Sequence, residues 1–270
     1  MNIRLPGGLW EDGRRLRDAQ FREPDGRLEM ALLTAVETAA SVPEAVSGVL
    51  GAALDKLAGR PADRTRAALL CVVDRRFLMR SLHAWLGGEA QWHTATCSRC
   101  KAPFDFPLRL SRLPVGEAGE GYPFARVSGG KTSWTLRLPN GADQEAIADL
   151  PDEETARQHL LARIRLDGPA DALAEMAGDP DGWARIESAL EAIAPALIDR
   201  VRADCPECGA QNVIEPDPYP LLRQSAHPLL EEIHRIARAY HWSETEILAL
   251  PRGRRRRYLE LIDAGRGLQA

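Results

Sequence analysis

Hydrophobic residues recur at helical spacing through much of the first third of the chain. Between residues 27 and 58 they return every three or four positions, which predicts two helices, the second beginning at Pro43. A third and longer helix is predicted from Ala62 to Leu86. Residues 28–88 are therefore predicted to form a helical region.

The third predicted helix carries a polar interruption in an otherwise apolar stripe. Asp74, Arg75 and Arg76 fall within it, and we expect these charges to form a solvated or ion-paired edge. Cys71 lies in the apolar run before them and is predicted to be a small buried hydrophobic residue. Gly87-Gly88 is predicted to end the helix.

Residues 1–27 lack this periodicity. They are polar and glycine-rich, with a few apolar anchors: Leu5, Leu9, Trp10 and Leu16. The pattern predicts an N-terminal arm or a small strand-bearing segment that packs on a partner surface. A frayed terminus is the alternative.

Residues 113–200 change from alternating to helical periodicity. Two strands are predicted on either side of Ser128-Gly-Gly-Lys131, a hairpin signal, and the second alternates clearly. One of the helices that follow opens with Asp152-Glu-Glu, whose acidic side chains suit the positive end of a helix. This segment is predicted to be an α+β insertion.

Residues 219–270 predict a compact unit of three helices. Pro228 begins the first helix. Ser243 and Glu246 have the spacing of a capping box that opens the short second helix, and Pro251 restarts the chain before the third.

Two features of this unit leave alternatives open. Tyr240 and Trp242 are either core residues or anchors at a protein interface, where aromatic side chains often dominate the binding energy. Arg252 and Arg254–Arg257 form a basic run, which is either a solvated face or a surface that grips phosphates.

Two Cys-x-x-Cys pairs, far apart in the sequence, organise the predicted fold. They are Cys97 with Cys100 and Cys205 with Cys208. Four thiolates are the ligand set of a closed, tetrahedral structural zinc site, and an extended stretch follows each pair, as in the hairpins of a zinc ribbon. Thiol redox chemistry and cysteines without a shared role are the alternatives.

The cysteine pairs complete the predicted organisation of the chain. Residues 89–112 and 201–218 are predicted to form a split zinc ribbon, with Zn²⁺ closing the long loop between them. The predicted fold class is α+β: mainly helical, with this zinc-ribbon-like β element and the C-terminal three-helix unit.

Charge and composition limit the classes of function. The chain has 270 residues and a formal net charge of -4, which argues against wholesale binding to nucleic acid or to an acidic membrane. No apolar run approaches the ~20 residues of a membrane span. Because no signal peptide is recognisable, we expect a cytoplasmic protein whose thiols stay reduced.

No motif indicates an enzyme. The sequence contains no glycine-rich phosphate loop, no nucleophile elbow and no His-Glu-x-x-His. The six histidines are scattered, and a four-thiolate site has no position left for an activated water. We therefore expect no catalytic residues and no small-molecule substrate.

Several short motifs resemble the baseplate hub assembly chaperones of contractile-tailed phages and of phage-derived contractile injection systems. In chain order they are Val73-Asp74-Arg75, a Cys-x-x-Cys followed by Phe104-Asp-Phe-Pro-Leu108, and Thr135-Leu-Arg-Leu-Pro-Asn-Gly141 with a trailing Gln. The stretch from His234 to Pro251 is similar to small tail-assembly proteins of such clusters. The resemblance implies a non-enzymatic protein that binds a baseplate or spike-hub protein and prevents premature assembly, in a bacterial or phage-infected cell.

The resemblance does not imply the zinc, which follows from the cysteines alone. It also leaves open whether the protein is retained in the assembled particle. A zinc-ribbon nucleic-acid adaptor that uses Arg252–Arg257 is the alternative function. The acidic net charge and the lack of aromatic residues within the basic run count against it, so we expect nucleic acid not to be a partner.

Overall fold

The computed structural model describes residues 1–87, 91–198, 200–217, 219–223 and 225–267, and its fold class is α+β, as predicted. The helices are α1 Gly26–Glu37, α2 Val42–Ala53, α3 Arg64–Ala68, α4 Val72–Gly87, α5 Gly141–Ile147, α6 Glu153–Ile164, α7 Ala170–Gly178, α8 Pro180–Ile193, α9 His227–Tyr240, α10 Glu244–Leu248 and α11 Arg252–Gly267. Within these ranges no helix combines the length and the apolar composition that crossing a bilayer requires.

The strands form small antiparallel sheets. They are β1 Asn2–Glu11, β2 Arg14–Phe21, β3 Leu54–Leu57, β4 Arg60–Pro61, β5 Gln91–Thr96, β6 Pro103–Leu108, β7 Val115–Gly116, β8 Phe124–Gly129, β9 Thr132–Arg137, β10 Arg165–Asp167, β11 Ala196–Leu197, β12 Val201–Asp204 and β13 Gln211–Ile214. The two largest sheets have the orders β1-β2-β3-β4 and β10-β9-β8.

The first 27 residues are part of the main core and do not form an arm. Strands β1 and β2 pair as a hairpin and continue through β3, and Leu5, Leu9 and Phe21 are buried against helices α1, α2 and α4. The expected partner surface is therefore the chain's own helical layer. Apolar residues in a short glycine-rich hairpin give too little alternation to predict this burial from sequence.

The helical region differs from its prediction in two places. The end of the second predicted helix is strand β3, in which Leu54 and Leu57 are still buried. The third predicted helix is broken into α3 and α4, because the backbone between them bonds elsewhere: Gly141 N donates to Leu70 O at 3.1 Å, and Cys71 forms a β-bridge with Asn140. Gly88, the predicted helix end, lies outside the described residues.

Residues 113–200 form the α+β insertion that the pattern predicts. Strands β8 and β9 pair across the expected hairpin, and Asp152 caps helix α6 by accepting from Thr155 N. Helices α6, α7 and α8 enclose a separate core around Trp134, Leu136 and Ile186. At the base of the insertion, β7 pairs with β11 and holds its two ends together.

The C-terminal unit consists of α9, α10 and α11, with the predicted capping box of Ser243 and Glu246 at the start of α10. Tyr240 and Trp242 are half-buried, and Trp242 stacks on Tyr240 and meets Tyr258 edge-on at 4.9 Å between ring centroids. The two aromatic residues therefore contribute to the core of this unit.

Candidate metal centre

The first cysteine pair lies on a tight turn between strands β5 and β6. Cys97 N donates to Ala102 O at 2.9 Å, and Lys101 N donates back to Cys97 O at 3.1 Å. To close this turn Lys101 adopts a left-handed backbone conformation with φ of 63°, which is unfavourable for a residue with a Cβ. The turn brings the sulfurs of Cys97 and Cys100 within 4.8 Å of each other.

The second pair repeats this geometry between β12 and β13. Cys205 N donates to Ala210 O at 2.9 Å, Gly209 N donates to Cys205 O at 2.9 Å, and Gly209 has φ of 66°. Lys101 and Gly209 thus occupy the same conformation at equivalent positions. The sequence marks Lys101 as the less suitable residue, yet both turns have the same hydrogen bonds.

The structure brings all four predicted cysteines together. Their sulfur atoms lie within 4.8 Å of one another, and the group could hold a metal ion. Two close approaches cross between the hairpins: Cys97 Sγ lies 3.7 Å from Cys208 Sγ, and Cys100 Sγ lies 3.7 Å from Cys205 Sγ. Within the described part of the chain no histidine or carboxylate belongs to this group.

Electrostatics in this cluster favour a bound cation. The N–H groups of Cys100 and Arg99 point to the Cys97 sulfur and lower the pKa of its thiol to about 6. The Ala102 N–H lowers the pKa of Cys100 too, but desolvation and the three neighbouring sulfurs outweigh it and raise that pKa to about 12. The pKa values of Cys97 and Cys100 thus move in opposite directions, and a bound cation would favour the thiolate form, which is the form that binds metal.

Asn212 joins the two hairpins next to the cluster, and no pattern in the sequence singles it out. This buried amide lies on β13, where its Oδ1 accepts from Ser98 N at 2.8 Å and from Ser98 Oγ at 2.9 Å. Its Nδ2 donates to Ala210 O at 2.8 Å and approaches Cys97 Sγ at 3.7 Å. Asn212 thereby fixes the first turn against the second hairpin.

Apolar side chains from the inner faces of both hairpins support the cluster. Phe104, Phe106 and Leu108 alternate inward along β6 and pack with Cys97 and Cys205 in one core. His93 lies on β5 against Phe106, and burial lowers the pKa of its imidazole. It is a packed side chain and not a member of the sulfur cluster.

Asp74 and Arg75 are buried, which corrects the prediction of a solvated or ion-paired edge. Asp74 is 0 % exposed and accepts from Gly7 N at 2.7 Å and Gly8 N at 2.6 Å. These donors are free because strand β1 has a register irregularity between Arg4 and Leu9. Burial raises the pKa of the Asp74 carboxyl, and the two N–H groups partly offset that rise.

The side chain of Arg75 contacts other segments of the chain than the side chain of Asp74 does. Its guanidinium is 1 % exposed and donates to Ser47 Oγ at 2.7 Å and to Pro43 O at 2.7 Å, both on helix α2. The backbone of Gly141, at the start of α5, lies directly against it. Arg75 and Gly141, from segments far apart in the sequence, therefore meet at one junction.

The basic run does not form a continuous solvated face. Arg255 is 0 % exposed and donates to Glu29 Oε1 at 2.8 Å, to Glu232 Oε2 at 3.0 Å and to Leu250 O at 2.8 Å. It ties the C-terminal unit to helix α1. Arg257 pairs with Glu260 at 2.8 Å on the surface.

Comparisons with protein family models, with curated proteins and with solved structures give no match for this chain. The chemistry of the chain rests on four thiols that could hold a metal ion and on buried charged groups that join distant segments.

Proposed function

We propose that the chain is a zinc-stabilised, non-enzymatic binding protein that assists assembly of a contractile-tail baseplate or spike hub. The observation that carries this proposal is the closed cluster of four cysteine sulfurs at the base of the insertion. Such a site holds the architecture together and presents no reactive metal face. The partner is a baseplate or spike-hub protein.

The sulfur spacing supports zinc as the metal. A tetrahedral site with Zn–S bonds of ~2.3 Å separates its sulfurs by ~3.8 Å. Two of the separations here are 3.7 Å and all lie within 4.8 Å, so little movement is needed to close the cluster on an ion. Iron also accepts four thiolates, and metal analysis with an absorption spectrum distinguishes the two because zinc sites are colourless.

Two arguments support binding over catalysis. Four protein ligands complete the coordination of zinc, so no position is left for an activated water. The four most deeply buried charged side chains in the described part of the chain are bonded to main-chain or side-chain groups of other segments: Asp74, Arg75, Asp143 and Arg255. Their role in the described structure is to hold the fold together.

The junction at Arg75 supports the link to tail assembly. Short sequence motifs that match a family by accident have no reason to lie together in space. Here Arg75 lies against Gly141, and Cys71 forms a β-bridge with Asn140, across a long stretch of sequence.

The decisive experiment is co-expression with the neighbouring gene products, followed by size-exclusion chromatography with light scattering. We expect a defined complex with one baseplate or spike-hub protein, and a deletion strain that makes tails without complete baseplates. Normal particles from the deletion strain would remove the assembly role. Finding the protein in purified particles, or only in the cytoplasm, decides whether it is retained.

Nucleic-acid binding is tested in parallel, since the adaptor is the alternative. Arg255 and Arg257 are already paired with carboxylates, which leaves less free positive charge than the sequence implies. We expect duplex DNA to bind weakly and to dissociate as salt rises. Tight binding that survives ~200 mM salt would favour the adaptor over the assembly factor.

A further inference from the structure

Lys101 has an unfavourable backbone conformation in the first cysteine turn. Its φ of 63° lies in the left-handed region, where a Cβ comes too close to the following carbonyl oxygen. The equivalent residue of the second turn is Gly209, which adopts φ of 66° without that cost. Strain of this kind is concentrated at functional sites. The side chain of Lys101 is therefore expected to supply something that glycine cannot.

The ammonium group of Lys101 folds back over the turn that carries the first two cysteines. Lys101 Nζ donates to Ser98 O at 2.9 Å, and Ser98 directly follows Cys97 in the chain. The N–H of Ser98 is held by Asn212 Oδ1 at 2.8 Å. Although Lys101 is exposed, its bond to Ser98 keeps a positive charge beside the residues that carry the sulfurs.

The charges near the cysteine cluster give this ammonium group a role. Four thiolates bring four negative charges and Zn²⁺ offsets two of them, so the loaded cluster stays negative. Beside the cysteines of the second turn lie two exposed carboxylates, on Asp204 and Glu207, while the first turn contributes the cations of Arg99 and Lys101. These four side chains cancel one another. Without Lys101 their sum would be negative, next to a negative cluster.

We propose that the Lys101 ammonium group is the electrostatic partner of the metal–thiolate cluster. It offsets part of the negative charge of the cluster and strengthens metal binding, and this gain outweighs the strain in its backbone. The inference rests on the proposed function, since it requires the four cysteines to hold zinc. It adds a residue that does not touch the metal but raises the affinity of the site.

The test measures the zinc affinity of the full chain by competition with a chromophoric chelator. Lys101→Gln keeps the strain and a donor for Ser98 O but removes the charge, so its affinity should fall by about two- to fivefold. Lys101→Arg keeps the charge and should bind zinc as tightly as wild type. The difference between wild type and Lys101→Gln should shrink as salt rises from about 50 to about 500 mM, because salt screens exposed charges. Equal affinity of wild type and Lys101→Gln overturns the inference.

Two further variants separate the held charge from net charge and from strain. Arg99→Gln removes the same charge from an exposed position of the same turn and should lower the affinity less than Lys101→Gln does. Equal losses would show that only net charge matters. Lys101→Asn removes the charge and relaxes the backbone, because asparagine tolerates the left-handed conformation, and it should still bind zinc more weakly than wild type. Tighter binding would show that strain outweighs charge, and either result overturns the inference.

Failure of this inference differs from failure of the proposed function. If wild type and Lys101→Gln bind zinc equally, only the role of Lys101 is lost. If wild type binds no zinc, the zinc site is lost and the inference with it. If the Lys101 variants behave as expected but wild type forms no complex with any neighbouring gene product, the assembly role alone is wrong.

Discussion

Gly141 has no side chain at a point where the guanidinium of Arg75 occupies the space. A Cβ at this position would lie 2.0 Å from Arg75 Nη1, well inside van der Waals contact. The guanidinium cannot easily move, because it is buried and donates to helix α2 on its other side. Burial also lowers the pKa of Arg75 to about 10, because keeping the guanidinium charged in the interior costs free energy.

Gly141→Ala should therefore lower the free energy of unfolding by about 1–3 kcal/mol, as overpacking of a buried contact does. Gly253→Ala is the matched control, since Gly253 also lies in the first turn of a helix and a Cβ there meets no atom within 4 Å. We expect the control to be neutral or slightly stabilising. Urea unfolding followed by circular dichroism measures both, and equal effects would contradict the contact.

Asn212 gives a second prediction for a single side chain. Asn212→Asp keeps the shape but replaces the Nδ2 donor near Cys97 Sγ with a negatively charged oxygen. We expect zinc affinity to fall by about 10- to 100-fold, as it does when a residue that orients a metal ligand is changed. A competition titration with a chromophoric chelator measures the affinity.

Gln211→Glu adds the same charge on the exposed side of the same strand and serves as the control for Asn212→Asp. Its affinity should stay near that of wild type. If both variants lose zinc affinity equally, general repulsion between negative charges explains the loss. The specific contact between Asn212 and Cys97 would then not be the cause.

Among the helices and strands, the start of α5 is held by the most concentrated set of ionic bonds. Asp143 is 0 % exposed and accepts from Arg137 Nη2 at 2.8 Å, from Arg163 Nε at 2.8 Å and from Asn140 N at 3.0 Å. These contacts join β9, α5 and α6. Burial raises the pKa of Asp143, but the bonds from Arg137 and Asn140 outweigh it and hold that pKa below its usual value.

A depressed pKa makes this junction sensitive to acid. The ionised Asp143 stabilises the fold above its unfolded-state pKa of ~3.9, and this stability is lost as the pH falls through the lower folded-state value. Asp143→Asn should cost about 2 kcal/mol at pH 7 and should flatten the acid limb of the stability curve. Asp149→Asn, at an exposed position, is the control and should change neither. Parallel acid limbs for wild type and Asp143→Asn would contradict this.

Where the hydrogen bonds of an element join residues close together in the chain, the sequence pattern predicted that element. The hairpin at residues 128–131, the Asp152 cap and the Ser243 capping box all depend on residues a few positions apart, and all are present. The cysteine turns belong to the same class, because spacing alone brings each pair of sulfurs together. Their meeting across the chain was predicted from the chemistry of four thiolates.

Features that depend on distant partners were not predictable. Asp74 and Arg75 resemble a surface edge in sequence, because their acceptors and donors lie on β1 and α2. The break before α4 depends on Gly141, and the role of Arg255 depends on Glu29 on α1. A single sequence shows which residues carry charge but not which distant groups compensate it.

At the scale of the whole molecule, two features bring the two ends of the insertion together. They are the cysteine cluster and the pairing of β7 with β11. A metal at the cluster would link residues 105 positions apart in sequence, Cys100 and Cys205. Cys205→Ser should abolish tight metal binding and unfold the split ribbon, since the ribbon core contains Cys97 and Cys205 themselves. Native mass spectrometry should show about one zinc per chain in wild type and none in the variant.

Cys71→Ala is the control for this prediction, because Cys71 is a buried thiol outside the cluster. It should keep its zinc even if it loses stability. A chelator should lower the melting temperature of wild type strongly and that of Cys205→Ser very little. Freshly purified, reduced wild-type protein without any metal would contradict the zinc proposal.

The separation of the two cysteine turns has a consequence for synthesis on the ribosome. At about 5–20 residues per second, Cys205 emerges about 5–20 s after Cys100. During that interval the first turn can offer an ion only two sulfurs, so any metal it holds is half-ligated and exchangeable. The four-sulfur site is complete only after the whole insertion has been translated. An ion would therefore be held by all four sulfurs only after the insertion has left the ribosome and the two hairpins have docked.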